Sequence, residues 1–262
     1  MFLEVIMKVI AIANQKGGVG KTMTSVNLAT MLNERGHKAL LIDTDQQANS
    51  TDTYRASFEG EVTLYDCWLA EPESRENICS CIQHTDIGDI VAGDPLLREA
   101  ENKIAKDPIA GLLSFKKMLS DLEGYDYVII DCPPAVGALL QSILVASDEV
   151  IIPVTADRYS LQGLSQIWET IQNVRQSMNS GLSIAGFLLV RYNTRTNLNK
   201  DIYAALKDIA EKLETKVFST YIRESTKARE ALAARESLIR YAPASTTATD
   251  YEAFTDEYLG AN

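Results

Sequence analysis

The sequence predicts an α/β fold in which a mostly parallel, twisted β-sheet is covered by helices on both faces. Short apolar runs, typical of buried parallel strands, alternate along the chain with longer amphipathic segments that are typical of helices. A glycine-rich loop joins the first apolar run, 8–13, to the first amphipathic segment, 21–35. No linker, repeat or low-complexity tract interrupts the pattern, so we expect a single domain over residues 1–262.

The predicted elements place three polar segments at one edge of the sheet. The predicted strands are 8–13, 38–43, 87–92, 127–131, 149–154, 184–190 and 216–219. The predicted helices are 21–35, 62–69, 96–104, 109–122, 136–146, 160–178, 197–213, 225–234 and 246–259. Right-handed crossovers bring the glycine loop, Asp43–Asp45 and Asp131 to the carboxyl ends of neighbouring strands. Residues 52–101 carry the weakest pattern.

The composition is that of a globular chain. It is 46% apolar and 23% charged, and it contains no run of eighteen apolar residues. Residues 1–6 include Glu4 and no basic residue, which does not predict a signal peptide, and Met7 is an alternative start. We therefore expect a cytoplasmic protein whose four cysteines are reduced.

Charge is unevenly distributed along the chain. The net charge is −11, which argues against a protein that coats nucleic acid over its whole surface. Residues 191–240, however, contain eleven Lys/Arg and seven Asp/Glu, a net charge of +4. A basic face on an acidic protein can still bind a polyanion.

Residues 14–22 read Asn-Gln-Lys-Gly-Gly-Val-Gly-Lys-Thr, which is a phosphate-binding loop. Glycines let the backbone bend around phosphate oxygens, and the N–H groups of the loop and of the following helix then face the anion. Lys21 has the position of the lysine that reaches the β- and γ-phosphates, and Thr22 that of the hydroxyl that ligates Mg²⁺. The flanking strand and helix favour a P-loop NTPase over a glycine-rich turn with two solvated lysines.

Three segments resemble the ParA/MinD family of ATPases. Residues 16–22 resemble the family's deviant Walker A motif, which carries the additional lysine Lys16. Residues 40–51 are similar to its second-strand segment, and residues 127–134 to its Walker B strand and switch II. The resemblance covers nearly the whole chain and is closest to the short ParA/Soj-type partition ATPases.

The resemblance implies roles for individual residues. It implies that Lys21 neutralises phosphate charge, that Asp131 holds Mg²⁺ through water, and that Asp45 positions the attacking water and contacts the metal through water. It implies that Lys16 reaches across a homodimer to the partner's nucleotide; a solvated loop lysine is the alternative. The nucleotide contacts that it implies are Gly17, Gly18, Val19, Gly20, Lys21, Thr22, Met23 and, at the adenine edge, Asn193.

Three positions depart from the family pattern. Met23 stands where the family usually has threonine. Gln46 and Ala48 replace the usual proline and glycine of the second motif, which leaves open how rigid that loop is and how fast ATP is hydrolysed. We expect weak basal ATPase activity.

Basic residues in the C-terminal half are candidate DNA contacts. Arg195 and Arg223 match positions at which Soj-type proteins carry DNA-contacting arginines, and Lys227 and Arg229 lie nearby. The alternative is a set of solvated helix faces with ion pairs such as Glu224 with Lys227 or Arg229. The resemblance implies three partners: a second copy of the chain, DNA bound without sequence preference on the nucleoid, and a ParB-like centromere-binding protein.

Two other functions remain open at this stage. A MinD-like ATPase would need a basic amphipathic C-terminal helix to bind a membrane, whereas residues 251–262 contain no Lys or Arg. A nucleotide-switched regulatory scaffold with little turnover is the third possibility. The spacing of Cys67, Cys79, Cys81 and His84 is not a standard zinc pattern, so we interpret the cysteines as ordinary thiols.

Overall fold

The computed structural model describes residues 7–193 and 197–260, except for the side chains of residues 158–162, 197 and 198. Within this part of the chain, eight strands form one sheet in the order β3-β4-β2-β5-β1-β6-β7-β8. The strands are β1 Lys8–Ile12, β2 Ala39–Asp43, β3 Ile82–His84, β4 Asp89–Val91, β5 Tyr127–Asp131, β6 Glu149–Thr155, β7 Ser183–Tyr192 and β8 Ile222–Arg223. All neighbours are parallel except β3 and β4.

Helices cover both faces of the sheet, as predicted. The α-helices are α1 Lys21–Glu34, α2 Asn49–Thr53, α3 Leu64–Trp68, α4 Ala100–Lys106, α5 Pro108–Leu119, α6 Ala138–Ala146, α7 Arg158–Ser177, α8 Asn197–Lys212, α9 Thr226–Ala233, α10 Leu238–Tyr241 and α11 Thr246–Leu259. Short 3₁₀ helices occupy Pro72–Ser74, Ile78–Cys81 and Pro95–Glu99. None of the helices in the described part of the chain is both long enough and apolar enough to cross a membrane.

The packing of strand β1 explains why its sequence is apolar from Val9 to Ile12. Successive side chains of a strand point to opposite faces, and both faces of this sheet are buried. Val9 and Ala11 pack into the core beneath α5, α6 and α7, whereas Ile10 and Ile12 pack into the core beneath α1 and α11. A strand buried on both faces therefore cannot show the alternation of a half-exposed one.

The sheet order brings the predicted site together. Strand β1 lies between β5 and β6, and β5 lies between β1 and β2. The register places Asp43 directly opposite Asp131, both at carboxyl ends. The glycine loop that follows β1 is at the same edge, which confirms the expectation from the crossovers.

The structure differs from the predicted elements mainly in short segments. The predicted strand 216–219 is wrong: Val217 makes only an isolated bridge to Phe187, and the sheet ends instead with the two residues of β8. The antiparallel strand β3 and helices α2 and α10 were not predicted; they are three, five and four residues long. Segments this short do not complete a hydrophobic period, so tertiary contacts determine them.

Candidate active site

The glycine loop has the backbone conformation that a phosphate-binding loop requires. Gly18 and Gly20 lie in the left-handed region at φ 72° and 78°, where a side chain would be strained. Gly20 is also the N-cap of α1 and has no side chain to accept the first N–H groups of that helix. These N–H groups can therefore bind an anion at the positive end of the helix dipole.

Lys21 is folded over the loop. Its side chain is buried, with 7% of the residue exposed, and its Nζ donates to the Lys16 carbonyl at 3.1 Å. Burial lowers the pKa of Lys21, and the nearby Asp131 carboxylate opposes that shift. The ammonium group therefore lies inside the loop, beside the end of β5.

Lys16 lies at the outer rim of the same loop. Its Nζ is 2.5 Å from Asp157 Oδ2 and 3.5 Å from Thr155 Oγ1, at the end of β6. The Lys16 side chain is 34% exposed and that of Asp157 38% exposed. In a single chain Lys16 is thus held by Asp157, a partner that the sequence analysis did not identify.

The Asp131 carboxylate is held by hydroxyl groups from two segments. Ser50 donates to Oδ2 at 2.7 Å and Ser25 donates to Oδ1 at 3.2 Å. Burial raises the pKa of Asp131, while hydrogen bonds from Ser50 and then Thr22 lower it. Thr22 and Asp131, the two predicted ligands, therefore lie close together; their role in metal binding stays a prediction.

Asp43 lies beside Asp131 and is fully buried. Its Oδ2 accepts both the backbone N–H and the hydroxyl of Thr51, each at 2.8 Å, and its Oδ1 accepts the Asp45 N–H at 3.1 Å. Burial, and then the negative charge of Asp131, raise the pKa of Asp43 to about 7. The carboxylate thus anchors the loop that carries Asp45.

Asp45 is partly exposed at the rim of a groove. Its Oδ1 accepts the Gln47 N–H at 3.0 Å. The groove has a volume of about 410 Å³ and is lined on its other side by Pro133 and Pro134. The second motif and switch II therefore face each other across an open space in which Asp45 can move.

Ala48 occupies a conformation that favours glycine. Its φ is 52°, in the left-handed region, and it is 5% exposed at the start of α2. An alanine in this region is strained by about 1–2 kcal/mol because its Cβ approaches the backbone. Alanine in place of the family's glycine therefore lowers the stability of the loop between Asp45 and Ser50.

We expect Ala48→Gly to raise the free energy of unfolding by about 0.5–1 kcal/mol, because relief of strain exceeds the added chain entropy. The matched control is Ala105→Gly in α4, an exposed helical position, which should lower stability by about 1 kcal/mol. Urea unfolding of both variants measures this difference. An Ala48→Gly protein less stable than the parent would contradict the strain assignment.

A cavity of about 310 Å³ adjoins the glycine loop. Its walls come from Gly18, Gly20 and Met23, from the end of β7, from residues 222–225 and from α9 and α11. The Met23 sulfur accepts a hydrogen bond from Asn27 Nδ2 at 2.9 Å, so the residue that departs from the family pattern is packed into α1. Asn193 lies two residues beyond Arg191, which lines the cavity, and its contact with adenine stays a prediction.

The candidate DNA-contacting residues differ in whether a carboxylate of the same chain contacts their charged group. Arg195 lies outside the described residues. Arg223 makes a paired contact with Asp250, whose oxygens accept from Nε at 2.9 Å and from NH2 at 2.6 Å. Lys227 pairs with Glu230 at 2.6 Å, an ion pair of the kind that the alternative of solvated helix faces predicts, with Glu230 as the partner in place of Glu224. Arg229 is exposed at the cavity wall.

The comparisons with known proteins agree with this fold. A family model described as an AAA domain matches residues 7–184. The sporulation initiation inhibitor protein Soj of Bacillus subtilis is 36% identical over 248 residues, 93% of this chain and 95% of that protein. The chromosome-partitioning ATPase Soj of Thermus thermophilus is 33% identical over 250 residues, 95% of this chain and 94% of that protein.

A solved structure is similar over the same length. Cobyrinic acid a,c-diamide synthase from Mycobacterium smegmatis, with bound ADP and magnesium, is 28% identical with a TM-score of 0.81 and covers 97% of this chain and 94% of its own. The name of that protein describes a synthase, whereas the names of the Soj proteins do not. The fold alone therefore does not identify the reaction or process in which ATP is used.

The parallel sheet and the glycine loop at its carboxyl edge define a P-loop nucleotide-binding protein. The two Soj proteins are more than 30% identical to this chain over more than nine-tenths of its length, which assigns it to one family within this class. The chain belongs to the ParA/Soj family of P-loop ATPases.

Proposed function

We propose that the protein is a ParA-type partition ATPase. In this proposal Mg-ATP drives a homodimer that binds DNA without sequence preference. A ParB-like partner stimulates hydrolysis and releases the dimer, so that plasmid or chromosomal DNA is segregated in the cytoplasm. The observation that carries the proposal is the position of Lys16, at the outer rim of a phosphate loop whose inner lysine is Lys21.

The donor set at the loop fits Mg²⁺ with ATP or ADP. A hydroxyl, Thr22, and a buried carboxylate, Asp131, are hard oxygen ligands that lie together at the loop. Within the described residues no three His, Cys, Asp or Glu side chains form a metal cluster; Mg²⁺ in such sites takes most of its ligands from water and phosphates. When bound, the ion neutralises charge on the β- and γ-phosphates.

The chain's own residues have separate tasks in this mechanism. The loop N–H groups and Lys21 bind the phosphates, and the neighbouring cavity of about 310 Å³ accepts the nucleoside. Asp45 orients the attacking water from its partly exposed loop. Lys16 supplies a second cation to the partner's nucleotide, which makes dimerisation depend on ATP.

DNA binding is assigned to the basic C-terminal half. Long exposed side chains reach phosphates rather than base edges, which gives affinity without sequence preference. Arg229 is the best placed of the described candidates, because the guanidinium of Arg223 and the ammonium of Lys227 already contact carboxylates. A dimer sets two such faces side by side, so binding should require ATP.

Arg229→Glu is the experiment that tests this function. The variant should lose ATP-dependent binding to duplex DNA at low salt, and its affinity for ATP is measured separately because Arg229 also lines the cavity beside the glycine loop. In the parent protein, a plot of the logarithm of the DNA association constant against the logarithm of the salt concentration should have a slope near −0.9 per phosphate contacted. The neutral variant Arg229→Gln should make this slope less steep by about one unit per chain. Fluorescence anisotropy with labelled duplexes of two unrelated sequences measures both quantities.

The control is Lys117→Glu, which makes the same charge change on the exposed surface of α5. It should bind DNA like the parent protein. If the parent protein with ATP does not bind duplex DNA at low salt, the partition function is wrong and the scaffold function is favoured.

A further inference from the structure

Two arginines join the end of α2 to the turn between α9 and α10 by reciprocal contacts. Arg235 Nε donates to the Asp52 carbonyl at 3.0 Å and lies 2.9 Å from Asp52 Oδ1. Arg55 Nε donates to the Arg235 carbonyl at 3.1 Å, and its NH2 donates to Glu236 Oε1 at 2.9 Å. Each arginine thus holds one carbonyl and one carboxylate of the other segment. We call these four residues the reciprocal clamp.

Both arginines have the same unusual backbone conformation. Arg55 has φ 58° and Arg235 has φ 56°, and each lies two residues after its helix, α2 or α9. This left-handed conformation is uncommon for a residue with a long side chain. It ends each helix and turns the arginine toward the opposite segment, so the two turns are arranged to face each other.

One side of the clamp is connected to the candidate active site through consecutive residues. Ser50 donates to Asp131, Thr51 donates to Asp43, and Asp52 is held by Arg235. These three residues belong to one helical turn of α2, which begins directly after the loop that carries Asp45. A displacement of α2 together with that loop would therefore shift Asp52 along with Ser50 and Thr51.

The other side is connected to the proposed DNA-binding face. Helix α9 ends two residues before Arg235 and carries Lys227 and Arg229. Ala228 and Leu232 of the same helix line the nucleoside cavity. A movement of Arg235 and Glu236 thus acts on the C-terminal end of the helix whose exposed side chains are candidate phosphate contacts.

We propose that the reciprocal clamp couples the Asp45–Ala48 loop, through α2, to α9, so that nucleotide binding repositions the basic residues of α9. The part of this inference that concerns DNA rests on the proposed function. Coupling of this kind is reciprocal: if ATP strengthens DNA binding through the clamp, DNA strengthens ATP binding by the same factor. The clamp touches neither ligand and acts as a positioning device.

The test uses Asp52→Ala, Arg235→Ala and the exchange variant Asp52→Arg/Arg235→Asp in the full chain. Amide hydrogen exchange of residues 226–236 is measured without nucleotide and with Mg²⁺ and a slowly hydrolysed ATP analogue. In the parent protein the analogue should change the protection of this segment. Each single variant should reduce that change by about threefold, the size expected for one exposed ion pair. The exchange variant should recover it.

Glu71→Gln is the matched control, because it breaks an exposed ion pair with Lys103 that belongs to neither segment. It should behave like the parent protein, and all variants should bind the analogue with parental affinity in the absence of DNA. Single variants with a parental protection change would overturn the clamp. A second readout, analogue affinity with and without duplex DNA, separates the two proposals. If the parent does not bind DNA but its α9 response depends on the clamp, the clamp stands and the DNA function fails.

Discussion

Lys21→Ala is expected to abolish measurable ATP binding. The Lys21 ammonium is buried inside the glycine loop, where it donates to the Lys16 carbonyl in the absence of nucleotide. Its removal takes away the principal cation facing the β- and γ-phosphates. A charge-assisted hydrogen bond is worth about 1.5–3 kcal/mol, and more than one is lost, so affinity should fall by more than about a hundredfold. Titration with a fluorescent ATP analogue measures the loss.

Asp45→Ala is the control for this prediction. Asp45 lies on the partly exposed loop between β2 and α2, and its carboxylate accepts from the loop's own Gln47 N–H. Its loss should leave ATP binding intact and slow hydrolysis by about a hundredfold, the value of one positioning group of about 3 kcal/mol. A Lys21→Ala protein that binds the analogue like its parent would exclude the loop as the phosphate site.

Lys16→Ala is expected to retain ATP binding by the single chain and to lose ATP-dependent dimerisation. The Lys16 side chain is partly exposed at the rim and is held by Asp157 rather than directed into its own loop. A partly exposed cation in that position can exchange one anionic partner for another, such as a phosphate of a second molecule. Multi-angle light scattering with Mg²⁺ and a slowly hydrolysed ATP analogue measures the dimer.

Asp157→Asn provides the comparison for Lys16→Ala. It removes the in-chain carboxylate but leaves the lysine, so it should dimerise at least as well as the parent protein. If Lys16→Ala dimerises normally, Lys16 is a solvated loop lysine and the trans role is wrong.

The sequence was sufficient to predict the centre of the fold. Six of the predicted strands, those at 8–13, 38–43, 87–92, 127–131, 149–154 and 184–190, correspond to β1, β2, β4, β5, β6 and β7. They are apolar runs buried on both faces, which is the strongest signal a parallel sheet gives. The glycine loop was equally predictable, because its residues are contiguous and their spacing alone specifies how the backbone bends.

The edges of the sheet and the contacts of the site were less predictable, because they depend on residues distant in sequence. Asp157 meets Lys16 across 141 positions, and Ser50 meets Asp131 across 81. The hydroxyl residues Ser50 and Thr51 do follow the second motif directly, which is a signal that could have marked them as partners of Asp131 and Asp43. No pattern near Arg223 indicates that Asp250 of α11 engages its guanidinium.

The molar mass of the parent protein in Mg-ATP and in Mg-ADP tests the central claim most directly. A single chain has a mass of 28.9 kDa. With Mg²⁺ and the slowly hydrolysed ATP analogue, light scattering should give about twice that mass, whereas Mg-ADP should leave the monomer, because only a γ-phosphate offers Lys16 of a second molecule its anionic partner. An equal mass in both nucleotides, at concentrations that saturate the site, would contradict an ATP-switched dimer.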